Sequence, residues 1–157
     1  MSRIRVVWGT ASAPTALASY DAALAEAGIH DFNLVGVSSV IPAETPVEAV
    51  GTAPELGDPG DRLTVVEARA TTAGPGRAAA CLGWTGSDDG PGLFYEASGE
   101  SQAATERRVR DGLAAGRDLR GWSFPDEHLQ TAVVDADDGQ YATAVVVAAY
   151  GRGEAIL

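Results

Sequence analysis

The sequence predicts an α+β fold built as one domain, and three observations predict it. The chain is 157 residues long, the size of one ordinary domain. Apolar residues make up 45%, enough for a real core, so wholesale disorder is excluded. The periodicity runs in the order β-α-β-β-β-β-α-β-β, about seven strands against two helices, which calls for helices packed on largely antiparallel sheet.

Each element has its own signal. Arg3 to Trp8 alternates, with Ile4, Val6 and Trp8 on one side, and reads as the first strand. Gly9-Thr10-Ala11-Ser12 reads as a break, and Pro14 suits the first turn of a helix. Leu17, Tyr20, Leu24 and Ala27 recur at helical spacing, and Gly28 is a natural stop. Phe32 to Val37 is expected as a short buried strand ending at Ser38-Ser39. Thr45 to Asp61 carries Pro46, Pro54, Pro59, Gly51, Gly57 and Gly60, and reads as a long surface loop. Strands follow at Leu63 to Ala70, Ala78 to Trp84 and Gly92 to Ala97. Ser101 to Ala115 is a second amphipathic helix, with Ala104, Val109 and Leu113 inward and Gly116 as its stop. His128 to Val134 and Tyr141 to Ala149 flank Asp135 to Gln140 and read as a terminal hairpin.

Composition narrows the function classes. Twenty-two acids stand against eleven bases, for a net charge of −11, and every base is arginine. Nucleic acid and anionic membrane both need a positive footprint, so neither is expected as a partner. Small residues, surplus carboxylates and missing lysines fit a surface kept hydrated in strong salt, hence a halophilic origin; a GC-rich genome is the other source of arginine in place of lysine. The single cysteine, Cys81, excludes an internal disulfide and a cysteine-based zinc cage. No apolar run approaches the ~20 residues of a membrane span. The first residues lack a secretory pattern, and the expected compartment is the cytoplasm.

A few residues carry candidate chemistry. Asp21 lies between Leu17 and Leu24, beside the helix's apolar stripe, and reads either as an edge acid or as a carboxylate held to grip a cationic ligand group. Glu96 shares a strand face with Phe94. It reads either as a solvated strand-end glutamate or as an acid whose pKa is raised by desolvation. Asn33-Leu34-Val35-Gly36-Val37-Ser38-Ser39-Val40-Ile41-Pro42 is the most unusual stretch, two hydroxyls in an apolar run closed by proline. Paired serines commonly hydrogen-bond their own backbone at a strand end. With only His30 and His128, and no G-x-S-x-G elbow, a Ser-His-Asp hydrolase has no support. A metal site is not expected either. Trp8, Trp84 and Trp122 read as core or interface packing.

In their order and spacing these pieces resemble the pyruvoyl-dependent arginine decarboxylases, over nearly the whole chain. The matching stretches are Leu17-Ala18-Ser19-Tyr20-Asp21-Ala22-Ala23-Leu24 with Ala27-Gly28-Ile29, Asn33-Leu34-Val35 through Ser38-Ser39-Val40-Ile41-Pro42, Gly92-Leu93-Phe94-Tyr95-Glu96, and Arg120-Gly121-Trp122. The segment with the serine pair is the most specific. The resemblance implies a four-layer αββα sandwich of largely antiparallel sheets, assembled as a homotrimer with sites between subunits. It implies self-cleavage between Ser38 and Ser39 into a β chain of residues 1–38 and an α chain of residues 39–157, with Ser39 becoming a covalent pyruvoyl group. The expected reaction turns L-arginine into agmatine and carbon dioxide through a Schiff base to that group. By the same resemblance Glu96 is the proton donor, Asn33 orients the site, Asp21 meets the guanidinium, and Leu17 and Leu24 line the slot for the aliphatic stem. On an extended strand Asn33 and Ser39 are roughly 20 Å apart, so their meeting requires a bend or a neighbouring subunit. Two other functions fit the same fold: an unprocessed, non-catalytic trimer that binds a small cationic metabolite, and a decarboxylase of a different amino acid.

Overall fold

The computed structural model describes residues 2–87 and 90–157. Its elements are β1 (Ile4–Ala13), α1 (Ala16–Ala27), β2 (Asn33–Gly36), β3 (Val40–Ile41), β4 (Val47–Gly51) and β5 (Arg62–Ala73), followed by β6 (Gly76–Gly86), β7 (Gly92–Gly99), α2 (Gln102–Asp118), β8 (His128–Ala136) and β9 (Tyr141–Tyr150). Two sheets form, β2-β5-β9-β1-β4 and β3-β7-β6-β8. Among the described residues, only β1–β4 and β2–β5 pair in parallel; the other pairs are antiparallel. Among the described residues, no helix is long and apolar enough to cross a membrane.

Three apolar layers hold these elements together. Between the sheets pack Ile4, Val6, Val66, Leu82, Trp84, Phe94 and Val146 with small alanines. Beneath α1, the outer face of the five-stranded sheet contributes Val7, Leu63, Val65, Val145 and Val147, covered by Ala23, Leu24 and Ala27. Beneath α2, the four-stranded sheet contributes Cys81 and Leu93 against Val109 and Leu113. The result is the αββα sandwich. Strand β9 sits at the centre of its sheet with both faces covered, so Ala142 to Ala149 is buried without interruption. A continuous apolar run is the mark of such a strand.

The helices begin where a side-chain hydroxyl satisfies a free backbone N–H, and they end on backbone bonds. Thr15 caps α1, its hydroxyl accepting from the Ala18 N–H at 3.1 Å, and Gly28 closes it with φ of 82°. Ser101 caps α2 in the same way at 3.2 Å. Pro14 therefore precedes the cap rather than opening the helix. The second helix runs through Gly116 to Asp118, because Gly116 sits against the Leu93 side chain, 3.0 Å from where its Cβ would be.

Several further expectations need correction. The first strand does not break at Gly9 but pairs with β9 from Ile4 to Ala13. Glycine is needed there for close approach: a Cβ on Gly9 would stand 2.3 Å from the Ala23 carbonyl oxygen. Strand β2 lies at a sheet edge and is largely exposed, not buried. The stretch from Thr45 to Asp61 is not all surface loop. It supplies β4, parallel to β1, and buries Ala53 and Leu56 under α1. Finally, β8 and β9 form no hairpin. Strand β8 pairs with β6 in one sheet and β9 with β5 and β1 in the other, so the Asp137–Gln140 turn carries the chain between layers.

Candidate active site

The serine pair lies in another of these passages between sheets. Strand β2 ends at Gly36, and the Val37 N–H still donates to the Val65 carbonyl of the five-stranded sheet at 2.9 Å. Two residues later the Ser39 carbonyl accepts from the Phe94 N–H of the four-stranded sheet at 2.7 Å. Ser38 stands between these anchors and is exposed; Ser39 is half-buried. The Ser38–Ser39 peptide bond is therefore held from both sides by different layers. Pro42 follows directly after β3 and ends the pairing.

The β3–β7 register brings Glu96 to this point. Val40 faces Leu93 and Ile41 faces Gly92, so Ser39 lies opposite Phe94. Phe94 and Glu96 share the face toward the inter-sheet layer, where Phe94 is buried. Glu96 is then the diagonal neighbour of Ser39, roughly 7–8 Å away by ordinary sheet spacing. Its residue surface is exposed, yet desolvation pushes its carboxyl above the usual carboxylate range, opposed weakly by its own backbone N–H.

Tyr150 completes the cluster and was not singled out by sequence reasoning. Its ring packs against Phe94 at 6.0 Å, and its hydroxyl donates to the Val40 carbonyl at 2.9 Å. Burial, with Glu96 adding to it, raises its pKa to about 12, so the phenol stays neutral and donating. The only sequence signal was the apolar run continuing one residue past the expected end of the last strand. On the α2 side, a cleft of about 260 Å³ reaches Ser39 and is lined by Leu93, Tyr95, Gly116, Leu119 and Arg120. Arg120 belongs to the Arg120-Gly121-Trp122 stretch; it donates to the Gly116 carbonyl at 2.9 Å, and its guanidinium lies 5.5 Å from the Trp122 ring centre.

The remaining sequence candidates lie elsewhere. Asn33 starts β2, its side-chain amide donating to the Gly60 carbonyl at 2.8 Å, at the far end of the strand from the serines. Asp21 is exposed on α1 and forms no side-chain hydrogen bond or ion pair among the described residues. Leu17 and Leu24, seven residues apart, point the same way on the helix but differ in cover, since Leu17 stands in the first turn. Leu17 is 76% exposed, whereas Leu24 is 7% exposed and packs beneath the helix. The buried side of α1 is Ser19, Ala23, Leu24 and Ala27. Beside Leu17, Tyr20 donates to Glu67 at 2.7 Å, and the Arg69 guanidinium lies 4.4 Å from its ring centre. Desolvation, then the bond to Glu67, raises the Tyr20 pKa to about 12. A cleft of about 430 Å³ opens there, lined by Ala16, Leu17, Tyr20, Arg69 and Thr71.

Within one chain the structure thus joins Ser38, Ser39 and Glu96, and leaves Asp21 and Leu17 on the helix that covers the other sheet. His30 is an exposed turn residue near Asp31, and His128 stacks on Trp84 at 5.6 Å. Trp84 is core, while Trp122 is exposed. No group of three or more His, Cys, Asp or Glu side chains suited to a metal ion forms among the described residues.

Comparison with known proteins bears directly on this arrangement. The profile of the family described as pyruvoyl-dependent arginine decarboxylase matches residues 3–155. A Halobacterium salinarum protein of that name is 52% identical over 158 residues, covering 100% of this chain and 99% of the relative. Proteins of the same name from Methanopyrus kandleri and Thermococcus kodakarensis are 33% and 34% identical, covering 92% and 88% of this chain and 93% and 88% of their own length. On the profile match over residues 3–155 and the 52% identity along the full chain, the chain belongs to the pyruvoyl-dependent arginine decarboxylase family.

Proposed function

We propose that this protein decarboxylates L-arginine to agmatine and carbon dioxide, using a pyruvoyl group that it makes from Ser39. One observation carries the reading: the Ser38–Ser39 bond is anchored on one side by Val65 and on the other by Phe94, with Glu96 on the Ser39 face. A serine hydroxyl is a weak nucleophile and an amide a weak electrophile, so orientation must supply the rate. In the proposed cleavage the Ser39 hydroxyl oxygen adds to the Ser38 carbonyl carbon, and the peptide C–N bond gives way to an ester. Loss of the Ser39 α-proton with departure of the ester oxygen leaves a Ser38 carboxylate and a dehydroalanine. Water then replaces the nitrogen, releasing ammonia and leaving a terminal ketone. The family name of the relatives and the intact serine pair support this sequence of steps.

The surroundings fit that group. Phe94 provides an apolar wall, and Glu96 is a carboxyl whose protonated form is favoured by desolvation. A pyruvoyl group supplies an electron sink for the charge left when carbon dioxide departs. Glu96 would hold the proton that returns to the substrate α-carbon. Tyr150 would hold β3, and with it residue 39, against Phe94 through the Val40 carbonyl. Asn33 would orient the site only from the far end of β2 or from a neighbouring copy.

The guanidinium partner would be Asp21, since a carboxylate fork complements that planar cation. Asp21 is exposed and unpaired among the described residues, and Leu17 beside it is exposed. Both lie on a different layer from Ser39, so a complete site would combine α1 of one subunit with the serine passage of another. A homotrimer of αβ units is the assembly proposed. Leu24, buried beneath α1, would support that face rather than touch the substrate stem. The deciding experiment incubates purified protein with arginine and follows carbon dioxide release together with intact chain mass. The expected result is two chains divided after Ser38, a ketone reducible by borohydride, and agmatine in step with carbon dioxide. A single uncut chain with no reducible ketone would overturn the reading.

A further inference from the structure

Arginine is the only strongly basic side chain in a protein of net charge −11, yet three arginines share one cleft. Arg3, Arg5 and Arg152 line a space of about 610 Å³ where β1 begins and β9 has ended. Arg3 and Arg5 are two apart on extended chain and project from the same face. Acids are few there. Glu48 reaches Arg3 at 3.5 Å, with both side chains about half exposed. Glu154 is already engaged, accepting from Arg62 at 3.0 Å.

Arg5 is the least satisfied of the three. Its Nε is buried and has no hydrogen-bond partner among the described residues, and its Nη2 reaches only the Gly151 carbonyl at 3.5 Å. Burial lowers its pKa, and the neighbouring Arg3 and Arg152 guanidiniums lower it further. A desolvated, unpaired donor beside two like charges is unfavourable unless something anionic completes it. Three guanidiniums against one available carboxylate leave a local surplus of positive charge in an otherwise acidic protein.

We infer that the Arg3–Arg5–Arg152 cleft is a binding site for a multivalent oxyanion of the phosphate class. Arginine forks match paired oxyanion oxygens in direction as well as charge. The volume falls in the range of small-molecule sites, roughly 300–1,000 Å³. Arg5, which lines the cleft, would contribute its guanidinium at the base, and Arg3 and Arg152 would close over the outer oxygens. The site is separate from the serine passage and does not depend on chain cleavage or on arginine decarboxylation.

Calorimetric titration of the purified full chain with inorganic pyrophosphate, in potassium chloride at constant ionic strength, tests the site. Saturable binding of one pyrophosphate per chain is expected, with orthophosphate at least tenfold weaker. Arg152→Gln, at an exposed position, should weaken pyrophosphate at least tenfold, and Arg5→Gln should abolish binding. Arg77→Gln, which removes a guanidinium bonded to Asp135 on another sheet, should leave it unchanged. Should Arg5→Gln lose its folded circular dichroism, Arg152→Gln decides alone. Absence of saturable heat, equal affinity in Arg152→Gln, or heat reproduced by chloride would overturn the site; equal affinity for orthophosphate would overturn the multivalent class.

Discussion

Two of the passages that carry this chain between its sheets differ in what surrounds them. The Asp137–Gln140 turn joins β8 to β9, closed by the Gln140 N–H donating to the Asp137 carbonyl at 3.0 Å and by Gly139 at φ of 79°. Its side chains are acidic and mostly exposed. The Val37–Ser39 passage joins β2 to β3, pinned to a different sheet at each end, beside Glu96 and Tyr150. Crossing between layers is a topological requirement that any polar turn can meet. The proposed chemistry requires in addition a hydroxyl and an acid raised by desolvation, and of these two passages only the second brings them together.

The largest effect that can break this comparison is at the serine itself. Ser39→Ala should leave an intact 157-residue chain with no decarboxylation detectable, whereas Asp138→Asn in the other passage should cleave and turn over normally; mass spectrometry and carbon dioxide release check both. Glu96→Gln should still cleave, with kcat falling roughly 100- to 10,000-fold, the usual contribution of a positioned acid. Burial raises the Glu96 pKa, so its donating form survives to higher pH than that of a solvated glutamate. Turnover should therefore decline as pH rises through that raised value, and the decline should vanish from the pH–rate profile of Glu96→Gln.

Smaller effects sharpen the division of labour between layers. Asp21→Asn should leave cleavage untouched and raise KM for arginine roughly 10- to 150-fold, the equivalent of losing a charged hydrogen bond of about 1.5–3 kcal/mol. An unchanged KM would remove the guanidinium assignment. Tyr150→Phe removes one hydrogen bond of about 0.5–1.5 kcal/mol and should lower the melting temperature by roughly 1–5 °C. Slower cleavage in that variant would show that the Val40 carbonyl must be held for the serine passage to react.

Much of this fold was legible because periodicity reports which faces are covered. The central strand β9 announced itself as an uninterrupted apolar run, and Gly28 and Ser101 marked the end of α1 and the start of α2. What periodicity does not encode is which neighbour a strand chooses. Strands β8 and β9 with a short Asp-Gly connection look the same whether they pair or separate, and β4 was hidden because Val47–Gly51 is a half-exposed edge flanked by proline and glycine. The α1 face was misjudged for a related reason. Its contact surface is centred on Ser19, Ala23 and Ala27, small residues that let the helix sit against Gly9, and Leu24 is buried at its edge while Leu17, in the first turn, is left uncovered. The serine pair was legible as an oddity of composition. Its nearness to Glu96 rests on the β3–β7 register, and its nearness to Tyr150 on sheet stacking, neither of which a linear pattern contains.

The position of β1 has a consequence for a chain divided after Ser38. The amino-terminal piece would hold β1, α1 and β2, and β1 lies between β9 and β4, paired with β9 along ten residues. Its Ile4, Val6 and Val7 are embedded in layers shared with residues of the other piece. Scission would thus create two new termini without a seam along which the halves could part, and the nicked protein would migrate as one particle until denatured.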